Sequence, residues 1–296
     1  MTLKVGIKVK FWGVRGSIPT PGVKYIKYGG NTPCVEMRLP DNKLFIFDAG
    51  TGIRELGSMI SSGEEKVKAY IFLSHFHWDH IQGLPFFIPS YINGNEIIIL
   101  GMDMKDVRLD KIISDQMESI YFPIKLQSLS AQIKFQIISE GSLIIDGVRV
   151  DTMYLNHPGQ AMGFVVSWGK VKICYFTDNE LVPKLATKNS NLKYKSDTKE
   201  KILKLISGAD LLIHDAQYTD EEYKTKVGWG HSSFSEVLSL AREGSVHRLA
   251  LFHHDPDHFD EKIDVLVANC NCGENQGETS YVMDCFAAHE GMELHF

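Results

Sequence analysis

The chain has 296 residues, 44% of them hydrophobic and 23% charged, enough apolar content to bury a sizeable core. A formal net charge of −6 excludes a broadly basic nucleic-acid coat, and no apolar run is long enough to span a membrane. Lys4, Lys8 and Lys10 interrupt the N-terminal stretch, so no signal peptide is read there, and the five cysteines lack the spacing of a disulfide framework. A reduced, cytoplasmic protein is expected, with Cys270 and Cys272 as free thiols in a turn.

In chain order, the strands "GIKVKFWGV", "VEMRL" and "LFIFDAG" are followed by a predicted helix over 54–61 and the strand "KAYIFLSH". A helix over 83–90, the strand "NEIIILG", a helix over 105–120 and the strand "QIKFQII" come next. The runs 44–47 and 69–73 are continuously apolar, as in strands covered on both faces. After "VRVDTMYL", the segment "GFVVSWGKVKICYF" reads as a hairpin turning at Gly169-Lys170. The lysine-rich stretch 187–201 is expected to be a surface loop leading into a helix over 199–208. The strand "ADLLIHDA", a helix over 233–243, the strand "LALFHH" and a helix over 260–268 follow. No internal repeat is visible. The length allows one large domain or two small ones, and two sets of strands with helices between and after them fit an α/β fold of four layers, an αββα sandwich, better than a single doubly wound sheet.

The stretch "LSHFHWDHIQG" places His75, His77, Asp79 and His80 together at the end of an apolar run. Imidazoles and carboxylates are costly to bury without partners, so this density asks for cations. If the strand runs through His75, then His75 and His77 share one side, with Asp79 and His80 at the turn beyond. Three further strands end in residues of the same type: His157 before Pro158-Gly159, Asp178 after "ICYFT", and the pair His253 and His254. Asp178 could place one oxygen on each of two metals.

"HFHWDH" matches the H-x-H-x-D-H signature of the metallo-β-lactamase superfamily, which the chain resembles from "FWGVRGSIPTPG" to "LALFHHDPDH". The resemblance implies the αββα fold with a dinuclear metal site, in a single domain over residues 1–296. His75, His77 and His157 would hold one ion, and Asp79, His80 and the last histidine the other, with Asp178 bridging. The residues leave the last ligand open between the adjacent His253 and His254. Resemblance to the T-H-F-S-P-like segment of ribonuclease Z, with the ligand three residues before proline, implies His253, with His254 pointing the other way along the strand. Two divalent ions are expected. Histidine-rich N/O donors suit zinc, and carboxylate-containing sites also accept manganese or iron.

"GWGHSSFSEVLSLA" resembles the H-S-T segment of ribonuclease Z and related phosphodiesterases, where a histidine gives a proton to the leaving group; His231 stands there. Ser233 and Glu236 have the spacing of a capping box, which would set His231 just ahead of a helix N-terminus suited to a phosphate oxygen. Two metals would polarise a phosphoryl group and activate a water, Asp79 would orient that water, and His231 would act as general acid. Arg15, Ser232 and His254 are the candidates for contact with substrate. His214, Asp215 and His258 are left open between support of the site and ordinary structural use.

In the tRNA-processing enzymes of that branch, the resemblance implies an RNA-gripping arm inserted between the third histidine and the bridging aspartate. Here His157 and Asp178 are 21 residues apart, a gap that one hairpin fills. A small phosphodiester, a cyclic nucleotide or other cyclic phosphate, is therefore the expected substrate. Large nucleic acids and membranes are not expected as partners, and a homodimer is left open as the assembly. The competing readings are a tRNA 3′-processing endoribonuclease and a thioester or lactam hydrolase of the same fold, the latter disfavoured by "GHSS". A flavin-associated di-iron carrier would want a glutamate in place of His77.

Overall fold

A computed structural model of the chain describes residues 6–63, 65–105, 107–181, 196–271 and 283–296. Most of the lysine-rich stretch (187–195) and Cys272 lie outside the described residues. The chain divides into two compact units, one of Met1–Gly22, Gly29–Ser139 and His289–Phe296, the other of Val23–Tyr28 and Glu140–Ala288.

The first unit contains strands β1 (Lys8–Gly13), β2 (Cys34–Arg38), β3 (Leu44–Phe47), β4 (Lys68–Phe72), β5 (Glu96–Gly101) and β6 (Gln132–Ile137). Its helices are α1 (Gly52–Ile60), α2 (Trp78–Ile81) and α3 (Leu109–Asp115). The second unit contains β7 (Gly141–Ile145), β8 (Val148–Leu155), β9 (Ala161–Trp168), β10 (Val171–Phe176), β11 (Leu211–Asp215), β12 (Arg248–Phe252) and β13 (Asp284–Ala287). Helices α4 (Ser196–Ile206), α5 (Asp220–Tyr223), α6 (Phe234–Glu243) and α7 (Asp260–Asn271) belong to it. A last strand, β14 (Glu293–His295), returns to the first unit.

Each unit is built on a seven-stranded sheet, in the orders β14-β1-β2-β3-β4-β5-β6 and β13-β12-β11-β10-β9-β8-β7. In the first, pairing is antiparallel from β14 to β3 and parallel from β3 to β6. In the second it is antiparallel from β7 to β10 and parallel from β10 to β13. Parallel neighbours need crossovers, which is why the helices follow the fourth strand of each sheet. Two α/β units of this kind are the halves that the αββα expectation requires.

The apolar run of β3 is buried at every position. Leu44 and Ile46 pack with Ile53 and Leu56 of α1, while Phe45 and Phe47, on the alternate face, contact the Phe72 ring at centroid distances of 5.0 and 5.1 Å. In the second unit, Cys174, Phe176, Leu212 and Leu251 pack with Ile202 and Ile206 of α4 and with Val237 and Leu240 of α6. Burial of each such side chain contributes roughly 1.5–3 kcal/mol.

Several elements depart from the sequence expectation. The strand ending in "LSH" stops at Phe72, so His75 and His77 lie beyond it, and Asp79 and His80 sit on α2 rather than in a turn. The segment predicted as a helix over 83–90 forms two 3₁₀ turns, Leu84–Phe86 and Ile88–Tyr91, because Pro85 and Pro89 supply no backbone N–H and start new turns. The helix expected over 105–120 is shortened to Leu109–Asp115. Strands β7, β13 and β14 were not anticipated. Cys270, expected as a free thiol, is disulfide-bonded to Cys285; Cys34 and Cys174 are buried free thiols. No helix among the described residues is long and apolar enough to cross a membrane.

Candidate metal centre

In open sheets with parallel strands, functional groups gather beyond the carboxyl ends of the strands. In the first unit, the chain leaving β3 enters Asp48 at φ 60°, and the chain leaving β4 reaches His75. A left-handed conformation at a non-glycine residue costs roughly 1–2 kcal/mol and persists only where the surroundings fix it. Asp48 is fixed: its carboxylate, fully buried, accepts from Ser74 N (2.7 Å), Ser74 Oγ (2.9 Å) and His80 Nδ1 (2.7 Å). Ser74 Oγ, having given its proton to Asp48, accepts from His75 Nδ1 at 3.0 Å. Two imidazoles thus carry their protons on Nδ1, which puts the lone pair of each on Nε2.

Close backbone packing sets α2 against the end of β3. A Cβ at Gly50 would meet the Asp79 carbonyl at 2.3 Å, and one at Gly83 would meet the Gly50 carbonyl at 2.0 Å, so both positions require glycine. The result is a compact donor set. The His75 ring lies 4.6 Å from that of His77 and 4.1 Å from that of His80, and His80 Nε2 is 3.3 Å from Asp79 Oδ2. Asp79 Oδ2 also accepts from Ser17 N at 2.8 Å. His77 is the exposed member of the set.

The second unit carries its own set. His157 follows β8, Asp178 follows β10 at φ 46°, and His253 follows β12 at φ 58°, two more non-glycine residues in the left-handed region. His157 Nδ1 donates to the Gly230 carbonyl at 3.0 Å and His253 Nδ1 to Gln217 Oε1 at 3.0 Å. Their Nε2 atoms then face Asp178, at 3.8 Å from Oδ2 and 3.3 Å from Oδ1 respectively. Asp178, His231 and His253 offer ligand atoms within 4.8 Å of one another.

Four imidazoles therefore have Nδ1 occupied and Nε2 presented, each tautomer being set by an acceptor behind the ring. Lone pairs of imidazole nitrogens and carboxylate oxygens at 3.3 Å repel one another unless a cation lies among them. The donors are histidine nitrogens and aspartate oxygens, the chemistry of a divalent transition-metal site. The residues present fit metal ions, and both units contribute such donors.

His231 stands apart in kind. Its ring is stacked on that of His253 (5.0 Å, 19°) and edge-on to that of His157 (5.2 Å). Its Nδ1 is 3.6 Å from Asp215 Oδ2 and 3.9 Å from Asp178 Oδ2. Burial alone would raise the Asp215 carboxyl, but His231 and His214 outweigh it and hold its pKa below the ordinary range. The same carboxylate accepts from Asn179 N, Gln217 N and Ser232 N, joining the loops after β10, β11 and α5. His214, fully buried, hydrogen-bonds through Nδ1 to the Asp215 carbonyl, and burial lowers its pKa.

The capping box expected at Ser233 and Glu236 is not formed: Ser233 is the N-cap of α6 but its side chain makes no capping bond. A complete box is found at Thr219 and Glu222 on α5. Of the residues considered for substrate contact, Arg15 is fully buried and donates twice to the Gly29 carbonyl. Ser232 Oγ donates to the Asn179 carbonyl and accepts from Leu181 N. His254 is turned to the Ala288 carbonyl (2.9 Å) and packs edge-on to Tyr28, whereas His253 is the member of the pair beside Asp178. His258 is buried against Glu222, 3.0 Å from Oε2.

Three supporting residues were missed by sequence reasoning: Asp48, Gln217 and Glu180. Asp48 had a signal, being a carboxylate closing the apolar run "LFIF". Gln217 and Glu180 had none, since each acts through contacts far from it in sequence.

Comparison with known proteins gives the family and the fold. The Beta-lactamase superfamily domain profile matches residues 44–254. Ribonuclease Z of Methanosarcina acetivorans is 24% identical over 306 aligned positions, covering 91% of this chain and 94% of that protein. The metallo-beta-lactamase fold protein YhfI from Bacillus subtilis has a TM-score of 0.69 at 16% identity, with 98% of this chain and 100% of that chain covered. A diphosphatase from the PhnP family has a TM-score of 0.65 at 17% identity, with 98% of each chain covered. The shared fold is the α/β, αββα sandwich of metallo-β-lactamases.

Proposed function

Because the chain belongs to the metallo-β-lactamase superfamily and to its ribonuclease Z-like branch, we propose that it is a phosphodiesterase acting on a small phosphodiester. The whole chain is read as one hydrolase domain. His75, His77 and His157 are assigned to one divalent cation and Asp79, His80 and His253 to a second, with Asp178 shared; zinc is the first choice from the donor types. When bound, such ions supply Lewis acidity to a phosphoryl group and lower the pKa of water to about 7.

The chain's own residues do the rest. Asp79, tied by Ser17 N, orients the attacking water. His231 delivers a proton to the departing alkoxide. The observation that carries the reading is the setting of this imidazole: beside Asp178 and His253, with Asp215 3.6 Å from Nδ1 to stabilise its protonated form. A thioester releases a thiolate that needs no proton, so a donor there suits an alkoxide leaving group better.

The small-substrate reading is supported by the segment from His157 to Asp178. It consists of β9, β10 and a two-residue turn at Gly169-Lys170 that pairs Trp168 with Val171, with no inserted arm. A second reading, RNA 3′-end cleavage, is favoured by the Ribonuclease Z relative, which is matched over 94% of its length. Metal-loaded protein is expected to hydrolyse bis(p-nitrophenyl) phosphate and at least one cyclic nucleotide. Inactivity on both, together with trimming of a tRNA 3′ trailer, would reverse the order of the two readings.

A further inference from the structure

Glu180 lies two residues beyond Asp178 and is 2% exposed. A carboxylate buried so deeply demands several donors, and it has them. Oε1 accepts from Tyr223 OH (2.7 Å) and Gly228 N (2.7 Å), and Oε2 accepts from Gly230 N (3.0 Å). Both glycines have positive φ, 89° and 90°, so the "GWGH" loop is wrapped around this one carboxylate. The next link is the Gly230 carbonyl, which accepts from His157 Nδ1 at 3.0 Å. The link after that is His231, the residue following Gly230. A Cβ at Gly230 would stand 2.2 Å from His157 Nδ1, which shows how tightly loop and imidazole are fitted.

We infer that Glu180 is a positioning residue that sets, through one loop, both the ligand tautomer of His157 and the location of the proton donor His231. Its hydrogen bonds run to Tyr223, Gly228 and Gly230, and it acts through them. A glutamine there cannot substitute. Its amide nitrogen must face either Gly230 N–H or Gly228 N–H, so one of the two anchoring bonds becomes a donor–donor contact. The inference rests on the general-acid assignment of His231 for its second half only; the first half concerns metal affinity and is independent of the reaction.

The test compares Glu180→Gln and His231→Ala in the full chain, with circular dichroism and thermal unfolding confirming the fold. Zinc affinity is measured by chelator competition. Hydrolysis is measured on bis(p-nitrophenyl) phosphate, whose leaving group needs no proton, and on 3′,5′-cyclic AMP, whose ribose alkoxide does. Glu180→Gln is expected to weaken zinc binding by about tenfold, as for loss of a group supporting a ligand histidine. It is also expected to lower kcat on the cyclic nucleotide by about tenfold or more while changing kcat on the activated diester by less than about threefold. His231→Ala is expected to show the same leaving-group bias. If Glu180→Gln binds zinc as the wild type does and lowers both rates in equal proportion, the inference is overturned. If His231→Ala shows no leaving-group bias, the general-acid reading fails while the zinc measurement still decides the role of Glu180. Tyr223→Phe, which removes one of the three bonds and keeps the charge, serves for the same comparison if Glu180→Gln does not fold; a smaller loss with the same bias is expected, and equal loss on both substrates counts against the inference.

Discussion

Asp48 makes no contact that sequence reading assigned to it, yet two candidate ligands depend on it. It holds His80 directly and His75 through Ser74. Asp48→Asn would turn an amide toward one of three donors. The expected result is an about 10–100-fold loss of zinc affinity, read by competition titration, with a stability loss of about 1–3 kcal/mol in urea unfolding. Unchanged affinity would show that the two imidazoles hold their orientation without it. The ligand-type residues themselves were legible, since "HFHWDH" is a dense run and His157, Asp178 and His253 close apolar strands. The groups behind the rings were not, because their partners are set by folding: Gln217 reaches His253 across 36 residues and Gly230 reaches His157 across 73. The adjacent histidines 253 and 254 illustrate the limit. Resemblance to a ribonuclease Z segment favoured one, and only the opposite directions of the two rings show what each touches.

At the scale of elements, buried strands were read well because their apolar runs are continuous, as in β3, β4 and β5. Strands β7 and β14 were missed because their exposed positions carry no apolar alternation. The sheets nonetheless aim the site. Phe47 stacks on Phe72 and immediately precedes Asp48, so Phe47→Ala is expected to cost about 3–5 kcal/mol in chemical denaturation and to weaken metal binding with it. Helices α5 and α7 are joined by Glu222, which caps α5 and contacts both His258 and Lys262. Burial raises the Glu222 carboxyl, but Lys262, the Thr219 backbone and His258 pull it down to about 2 from 4.5. For His258, burial outweighs Glu222 and lowers its pKa below 6.5. Both depressed values act in one direction, because the unfolded chain takes up protons first. Stability should begin to fall as pH drops below about 6.5 through His258 and fall further below about 4.5 as the Glu222 contribution is lost on the way to about 2. In Glu222→Gln the second loss should disappear from the melting temperature measured against pH; an unaltered acid limb would mean the junction contributes little.

For the molecule as a whole, composition and patterning predicted the class of fold, and the two seven-stranded sheets agree with it. What patterning could not reveal is that both sheets use one pairing scheme, three antiparallel contacts followed by three parallel ones, because that likeness resides in backbone order and not in side chains. The net charge of −6 bears on substrate size. Cleavage of a cyclic nucleotide should change little between about 50 and 200 mM salt, whereas productive tRNA binding would weaken by orders of magnitude over that range. A steep salt dependence of kcat/KM would favour the RNA reading. The position of β14 carries a consequence of another sort. The second sheet is laid down in uninterrupted chain order, but the first receives its outermost strand only after all seven strands of the second, when β14 pairs with β1 and Glu290 holds Asn31. During synthesis on the ribosome, residues 8–13 therefore present an open edge until residues 293–295 have emerged, which makes the nascent chain a template for intermolecular pairing.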